Sequence, residues 1–420
     1  FTESRSSRDN PKADWYVWAD ACPDGSPPNN WQSWMGGPAW RWEPRRRQYH
    51  LHNFLPQMPD LNFHCPAVQD AVLDIARHWL ERGVDGFRLD TANLYFHSRG
   101  LEDNPPLPEG LRGDSPVLMQ RHVHNADQPE TLAFLERLRA LMDRYGDRMA
   151  VAEIGGVDPG PTMVAYTRGR DRLHTAYSFA FLGERPDAAQ VLRVLAPWME
   201  GEAQTAWPSW AFSNHDVPRV ATRWAGSGAG TFSFGGSGSE PAGVQGAGDA
   251  KSGAELDASR AGADRITTAT PITWLALLLA LRGTVFLYQG EELGLPQSTL
   301  AFEDLRDPFG IAHWPQNPGR DGCRTPFPWQ AEVPGLGFSL ADRPWLPVDP
   351  AHARLAVDRQ LAHSTSTLHA TRALLALRRA HPALSLGSFE ALVVEGDVLV
   401  LQRCHQGEGV DDALCLAFNL

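Results

Sequence analysis

The chain reads as a parallel α/β protein, and within that class as a (β/α)8 barrel. Three observations carry this reading. An amphipathic helix, a Gly or Asp turn and a short, continuously apolar strand recur along the sequence, which is the pattern of a parallel sheet covered by helices. No Gly-x-Gly-x-x-Gly opens a helix after a strand, which weighs against a doubly wound, dinucleotide-binding sheet. Charged and polar residues gather where the strands end, as they do at the catalytic face of a barrel.

The elements follow in order. Residues 1–63 are rich in Trp, Pro, Gly and Asn and poor in periodicity. They read as a loop-dominated region with short strands near Arg47 to Phe54. Six tryptophans there (Trp15, Trp18, Trp31, Trp34, Trp40, Trp42) suit either the core of a small loop-rich domain or stacking on a ligand. Arg45-Arg46-Arg47, the only basic triplet, reads as a solvated turn. From Pro66 the texture changes. Val68, Val72, Ile75, Trp79 and Leu80 have helical spacing and Gly83 supplies a stop, so helix 67–82 leads to strand 84–90. Helix 129–144 leads to strand 149–153, helix 187–200 precedes the apolar stretch Trp207 to Ser213, and helix 264–282 leads to strand 284–289. The barrel region is thus 64–385. Within it Gly226 to Ala263, rich in Gly, Ser and Ala, reads as a flexible surface loop. After helix 364–380 and the His381-Pro382 stop, 386–420 reads as the start of a small antiparallel β domain.

Composition narrows the function classes. With 38 basic and 50 acidic side chains, the net charge of −12 repels phosphate and disfavours a nucleic-acid partner. Five cysteines without Cys-x-x-Cys spacing argue against a disulfide framework and a zinc site, and fit a reducing, cytoplasmic compartment. Arg282 and Gly283 cut the apolar run Pro271 to Tyr288 below a membrane span, so no membrane partner is expected. No signal peptide is visible, although a chain opening on Phe1 could have lost one.

Three strand ends could carry chemistry. In Gly86-Phe87-Arg88-Leu89-Asp90, Arg88 and Asp90 are two apart and point to one face. The pair reads equally as a salt bridge or as a nucleophile kept ionised by its cation. Glu153 ends the apolar run Met149 to Ala152 ahead of two glycines, where it is either a structural hydrogen-bonding group or a general acid whose pKa burial raises. Asn214-His215-Asp216 follows a third apolar stretch and needs partners or a ligand. Three carboxylates on successive barrel strands would converge over the mouth. A pair about 5 Å apart suits retaining glycoside hydrolysis, with the third stabilising positive charge on the sugar. A divalent metal is the competing use, but Arg88 beside Asp90 would repel a cation, so no metal site is expected here.

These motifs resemble the α-glucosidase and oligo-1,6-glucosidase branch of glycoside hydrolase family 13, the α-amylase superfamily. The resemblance implies that Asp90 is the nucleophile, Arg88 a sugar-contacting arginine, Glu153 the acid/base, Asp216 the transition-state stabiliser and His215 a holder of sugar hydroxyls. It also matches Gln57-Met58-Pro59-Asp60-Leu61-Asn62 to the branch's Gln-Pro-Asp-Leu-Asn signature, with Met58 inserted. Phe54 corresponds to an aromatic that packs on substrate. Arg320, in Gly319-Arg320-Asp321-Gly322, corresponds to an arginine reaching the non-reducing-end glucose. Thr91, after the nucleophile, goes with α-1,4 rather than α-1,6 linkages. The function implied is a retaining, exo-acting α-glucosidase working through a covalent glucosyl-Asp intermediate. It would act on short oligosaccharides or glucosides and also transfer glucosyl groups to alcohols. The alternatives are a trehalose synthase or sucrose isomerase on the same scaffold, and a non-catalytic member acting as a binding subunit. No cofactor is implied for the chemistry.

At the front the chain departs from the family pattern, and the resemblance implies that residues 1–63 are the domain B-like insertion between barrel strand three and its helix. Counterparts of strands one to three, of the strand-three Asp/Asn-His signature, and of an early cation-binding loop that would hold a structural divalent ion are missing. The expectation is therefore a truncated piece of a longer enzyme, itself at risk of inactivity, because a barrel lacking three strands has open edges.

Overall fold

The computed structural model describes residues 1–112, 115–156, 158–199, 201–225, 269–407 and 410–420. The Gly/Ser/Ala-rich loop expected at 226–263 lies outside the described residues. The chain divides into two compact units, one formed by Phe1–Ser178 with Glu202–Trp207, the other by Phe179–Gly201 with the described residues from Pro208 on.

The first unit opens with a three-stranded antiparallel sheet of β1 (Trp18–Ala19), β2 (Trp40–Glu43) and β3 (Gln48–Leu51), in the order β1-β3-β2. Trp31 and Trp40 are buried with Val17, Ala39 and Leu51 and form its core, so these two tryptophans pack protein rather than ligand. The basic triplet does form the β2–β3 turn. Arg46 corrects the expectation of a solvated one: it is buried, its guanidinium stacks 4.4 Å from the Trp18 ring, and it donates to the carbonyl of Ala13 and to Gln48. A planar cation with five donors can be buried where a loop offers that many acceptors.

Helix α1 (Pro66–Glu81) starts with proline at its first turn and ends at Gly83, whose φ of 92° suits the residue without a Cβ. Its buried stripe is Val68, Leu73, Ala76 and Leu80, whereas Ile75 and Trp79 of the expected apolar face are exposed. It leads to β4 (Gly86–Leu89). Helix α2 (Glu130–Met142) leads to β5 (Met149–Ile154), and α3 (Gly160–Thr167) to β6 (Thr175–Ser178). The three strands are parallel in the order β4-β5-β6. A Cβ on Gly86 would collide with the Met149 carbonyl, so this close strand pairing requires glycine there.

The second unit contains α4 (Ala188–Leu195), started by a reciprocal Asp187–Gln190 cap, then β7 (Ser209–Trp210) and α5 (Val220–Arg223). Next come α6 (Ala269–Ala280) and β8 (Thr284–Val285), which pairs in parallel with β7. Short helices α7 (Pro308–His313) and α8 (Val357–Leu361) precede α9 (Thr367–Ala380), which packs on α6. After α10 (Pro382–Ser385) comes an antiparallel sheet of β9 (Glu390–Glu395), β10 (Val398–Gly407) and β11 (Val410–Asn419). Buried Arg403 of β10 donates to the Ala280 carbonyl at 2.6 Å and so ties this sheet to α6. Among the described residues, no helix is long and apolar enough to cross a membrane.

Candidate active site

Each unit carries one cluster of the expected residues at the ends of its parallel strands. In the first, the alternation of β4 carries Arg88 and Asp90 to one face, and the register of β5 with β6 sets Glu153 opposite Tyr177. One guanidinium serves both carboxylates: Arg88 pairs with Asp90 through Nη1 and with Glu153 Oε2 through Nη2 at 2.8 Å. The Tyr177 hydroxyl donates to Glu153 Oε1 at 3.0 Å and accepts from Arg88 Nη2 at 3.0 Å. The two acids differ in environment. The Asp90 side chain is 69% exposed and that of Glu153 only 3%. Burial works against the Arg88 charge, but the charges of Glu153 and Tyr177 and the hydrogen bonds of Tyr177 and Asp90 outweigh it and hold the guanidinium protonated. Burial, reinforced by the Glu153 charge, raises the Tyr177 phenol, so it stays a donor.

Thr91 follows with φ 42° and ψ 46°, a left-handed conformation that is strained for a β-branched residue. Its N–H lies 3.4 Å from Glu153 Oε2, so the bend turns the backbone after Asp90 toward the second acid. Phe54 lies in the loop after β3, half-buried, its carbonyl accepting from Ser33 Oγ and facing His52 Nδ1. The Gln57–Asn62 stretch braces that loop. The Asp60 carboxylate accepts from the Asn53 N–H at 2.6 Å and from Asn53 Nδ2 at 2.9 Å, although burial pushes its pKa up to about 6.

In the second unit, the loop after β7 presents Asn214, His215 and Asp216. Asn214 Oδ1 accepts from the Asp216 N–H at 2.8 Å and so shapes the turn. Three cationic or ionisable groups surround the Asp216 carboxylate: Arg320 Nη1 at 3.2 Å, Arg324 Nη2 at 3.1 Å and His215 Nε2 at 3.3 Å. Arg320 is locked from behind by Asp307. The fully buried Asp307 carboxylate takes Nε at 2.9 Å and Nη2 at 2.8 Å in a two-pronged fork. Burial alone would raise the Asp307 carboxyl, but the hydrogen bonds and charge of Arg320 hold it below the ordinary range. Sequence reasoning missed Tyr177, Asp307 and Arg324 as site residues. Asp307 followed by proline signals only a helix cap, and Tyr177 sits in a four-residue strand without apolar periodicity. Among the described residues, no group of three or more His, Cys, Asp and Glu is arranged to hold a metal ion.

The sequence matches the model of the alpha-amylase catalytic domain over residues 1–232 and 257–387. The chain belongs to the α-amylase family. Its fold is accordingly the family's (β/α)8 type followed by an antiparallel β sheet, and its described residues supply five parallel strands. This α-amylase family chain is 46% identical over its full length to the "Probable alpha-glucosidase" of Rhizobium meliloti (strain 1021), covering 70% of that protein. It is 28% identical to an oligo-1,6-glucosidase of Heyndrickxia coagulans, again over its full length and covering 73% of that protein. Among solved structures, it is similar to the α-glucosyl transfer enzyme XgtA, with a TM-score of 0.85 and 45% identity, covering all of this chain and 71% of that one.

Proposed function

We propose that the protein is a retaining α-glucosidase that removes terminal glucose from short α-linked glucosides and oligosaccharides. The observation that carries the reading is the shared guanidinium of Arg88, which pairs with an exposed and a buried carboxylate at once. Retaining hydrolysis needs two carboxyl groups close together, about 5 Å apart, and in unlike environments, and one cation bridging both acids supports that arrangement. Asp90 attacks the anomeric carbon as the bond to the leaving oxygen breaks, and Glu153 gives that oxygen its proton. Glu153 then takes a proton from water, the resulting hydroxide displaces Asp90, and two inversions leave the configuration unchanged. Asp216 stabilises the oxocarbenium-like transition state, His215 and Arg320 hold glucose hydroxyls, and Phe54 packs on the sugar. Thr91 supports α-1,4 over α-1,6 linkages.

Every proton and nucleophile in this scheme comes from a side chain or water, so no cofactor is needed. The five unpaired cysteines support a cytoplasmic setting. Likeness to a transfer enzyme at 45% identity supports a second outcome for the same intermediate, in which an alcohol or sugar replaces water as acceptor.

The test is turnover of 4-nitrophenyl α-glucoside by the wild-type chain and by Asp90→Asn, with product analysis on maltose, isomaltose and sucrose. The substitution is expected to lower kcat by several orders of magnitude, because covalent catalysis supplies much of the barrier reduction. Unchanged turnover would overturn the assignment, and isomerised products would move the reading to an isomerase.

A further inference from the structure

One buried side chain ties the loop after β4 to the loop after β5, and the proposed chemistry gives it no role. Asn93 is 1% exposed. Its Nδ2 donates to the Gly155 carbonyl at 2.9 Å, and its Oδ1 accepts from the Gly155 N–H at 3.3 Å. The amide therefore pairs with both backbone groups of a single residue, as an adjacent strand would. Asn93 lies three positions after Asp90, and Gly155 two positions after Glu153. The same Nδ2 also donates to Asp127 Oδ1 at 3.2 Å, and the Asn93 carbonyl accepts from the Asp127 N–H at 2.8 Å. Asp127, held at φ 57°, in turn accepts from the Thr162 hydroxyl of α3 at 3.1 Å.

Only a short side chain bearing a donor and an acceptor on one carbon can make the Gly155 pairing. An apolar residue of similar size would leave two buried backbone groups without partners. The brace also acts on Thr91, because the strained turn that aims its N–H at Glu153 leads directly into the 3-10 turn Ala92–Leu94 that contains Asn93. We infer that Asn93 is a positioning residue, setting the spacing of Asp90 and Glu153 by locking their two loops together. This rests on the reading of those acids as nucleophile and acid/base. The size of the effect follows from geometry: a displacement of about 1 Å in a reacting group costs about 100-fold in rate.

The experiment compares two substrates that differ in their need for the acid. Fluoride leaves α-glucosyl fluoride with little protonation, whereas an alkyl α-glucoside must receive a proton at its leaving oxygen. For Asn93→Ala, kcat/KM on methyl α-glucoside is expected to fall about 100-fold, and on α-glucosyl fluoride about 10-fold or less. A merely structural role would lower the folded fraction and reduce both by one factor, leaving their ratio unchanged. Equal losses, or no loss on either substrate, overturn the proposal. Asn93→Asp supplies the same test should the alanine variant fail to fold, since it keeps the acceptor for the Gly155 N–H and deletes the Nδ2 donor. Asp127→Asn leaves the Gly155 pairing intact and is expected to keep the substrate ratio of the wild type. A wild-type chain inactive on both substrates would instead overturn the glycosidase reading, and this proposal with it.

Discussion

Replacing Tyr177 with phenylalanine removes one oxygen and tests the acid/base assignment through pH. That hydroxyl is buried, donates to Glu153 Oε1 at 3.0 Å and accepts from Arg88, which holds Oε2. A hydrogen bond to a charged group contributes about 1.5–3 kcal/mol net. Arg88 remains in place and can shift toward the vacated oxygen, so the lower end applies, about 1.5 kcal/mol. At 1.36 kcal/mol per pH unit this is roughly one unit. The sign follows from which form the phenol stabilises. It donates to the ionised carboxylate, so deleting it favours the protonated one, and Glu153 then keeps its proton to higher pH. With Asp90 as the proposed nucleophile and Glu153 as the proposed acid, glucosyl transfer requires protonated Glu153, so the alkaline limb of kcat/KM is expected to move upward by about one unit. The assay is a pH profile of kcat/KM on 4-nitrophenyl α-glucoside for the wild type and Tyr177→Phe. An alkaline limb that is unmoved or shifted to lower pH would refute the reasoning.

Two further outcomes concern the second unit. Asp307→Ala strips the fork from Arg320 and leaves a largely buried guanidinium without its main partner, at a cost of about 3 kcal/mol, the lower end for breaking a buried pair. Urea unfolding at neutral pH should show it, and a double-mutant cycle with Arg320→Ala should return most of it as coupling energy. Glu291 is fully buried, accepts from the Tyr288 N–H at 2.7 Å, and is pushed up to about 7 by burial against an ordinary value of 4.5. Between these values the folded chain binds more protons than the unfolded one. Stability therefore falls as pH rises through that window, by roughly 3 kcal/mol in total. In Glu291→Gln the unfolding midpoint should lose most of this dependence, and a dependence equal to the wild type would contradict the assignment.

How far the sequence reveals this molecule depends on whether a feature is local. Strands β4 and β5 are legible because each couples an apolar run to a preceding helix and a glycine turn, so periodicity alone marks them. Their charged residues Arg88, Asp90 and Glu153 are legible for the same reason, since a charge that closes an apolar run breaks the pattern around it, although in the fold only β5 with Glu153 is buried and β4 stays half-exposed. Strand β6 has no such signal: Thr-Ala-Tyr-Ser is too short and too polar to read as buried, and only its parallel pairing with β5 makes it a strand. Tyr177 is hidden along with it, because its meaning lies in the hydroxyl of one strand meeting the carboxylate of the next.

Helix α1 shows the opposite error. Helical spacing identifies the element correctly but selects Ile75 and Trp79, which are exposed, over Leu73 and Ala76, which are buried. Periodicity gives the direction of an apolar stripe but not the neighbour that covers it. Arg46 fails in a third way. A basic triplet in a turn belongs in water by composition, yet this guanidinium is buried because carbonyls from distant residues, Ser4 and Ala13 among them, converge on it. Asp307 and Asn93 belong with Arg46. Each is one polar residue in an unremarkable local setting, and each acquires its role from a backbone or cation brought to it by the fold. The residues expected to react are therefore visible in the sequence, because burying or exposing a charge at a strand end leaves a local trace. The residues that hold them in place are not, because the partner that defines each one lies outside its local segment, 13 positions away for Asp307 and Arg320 and 62 for Asn93 and Gly155.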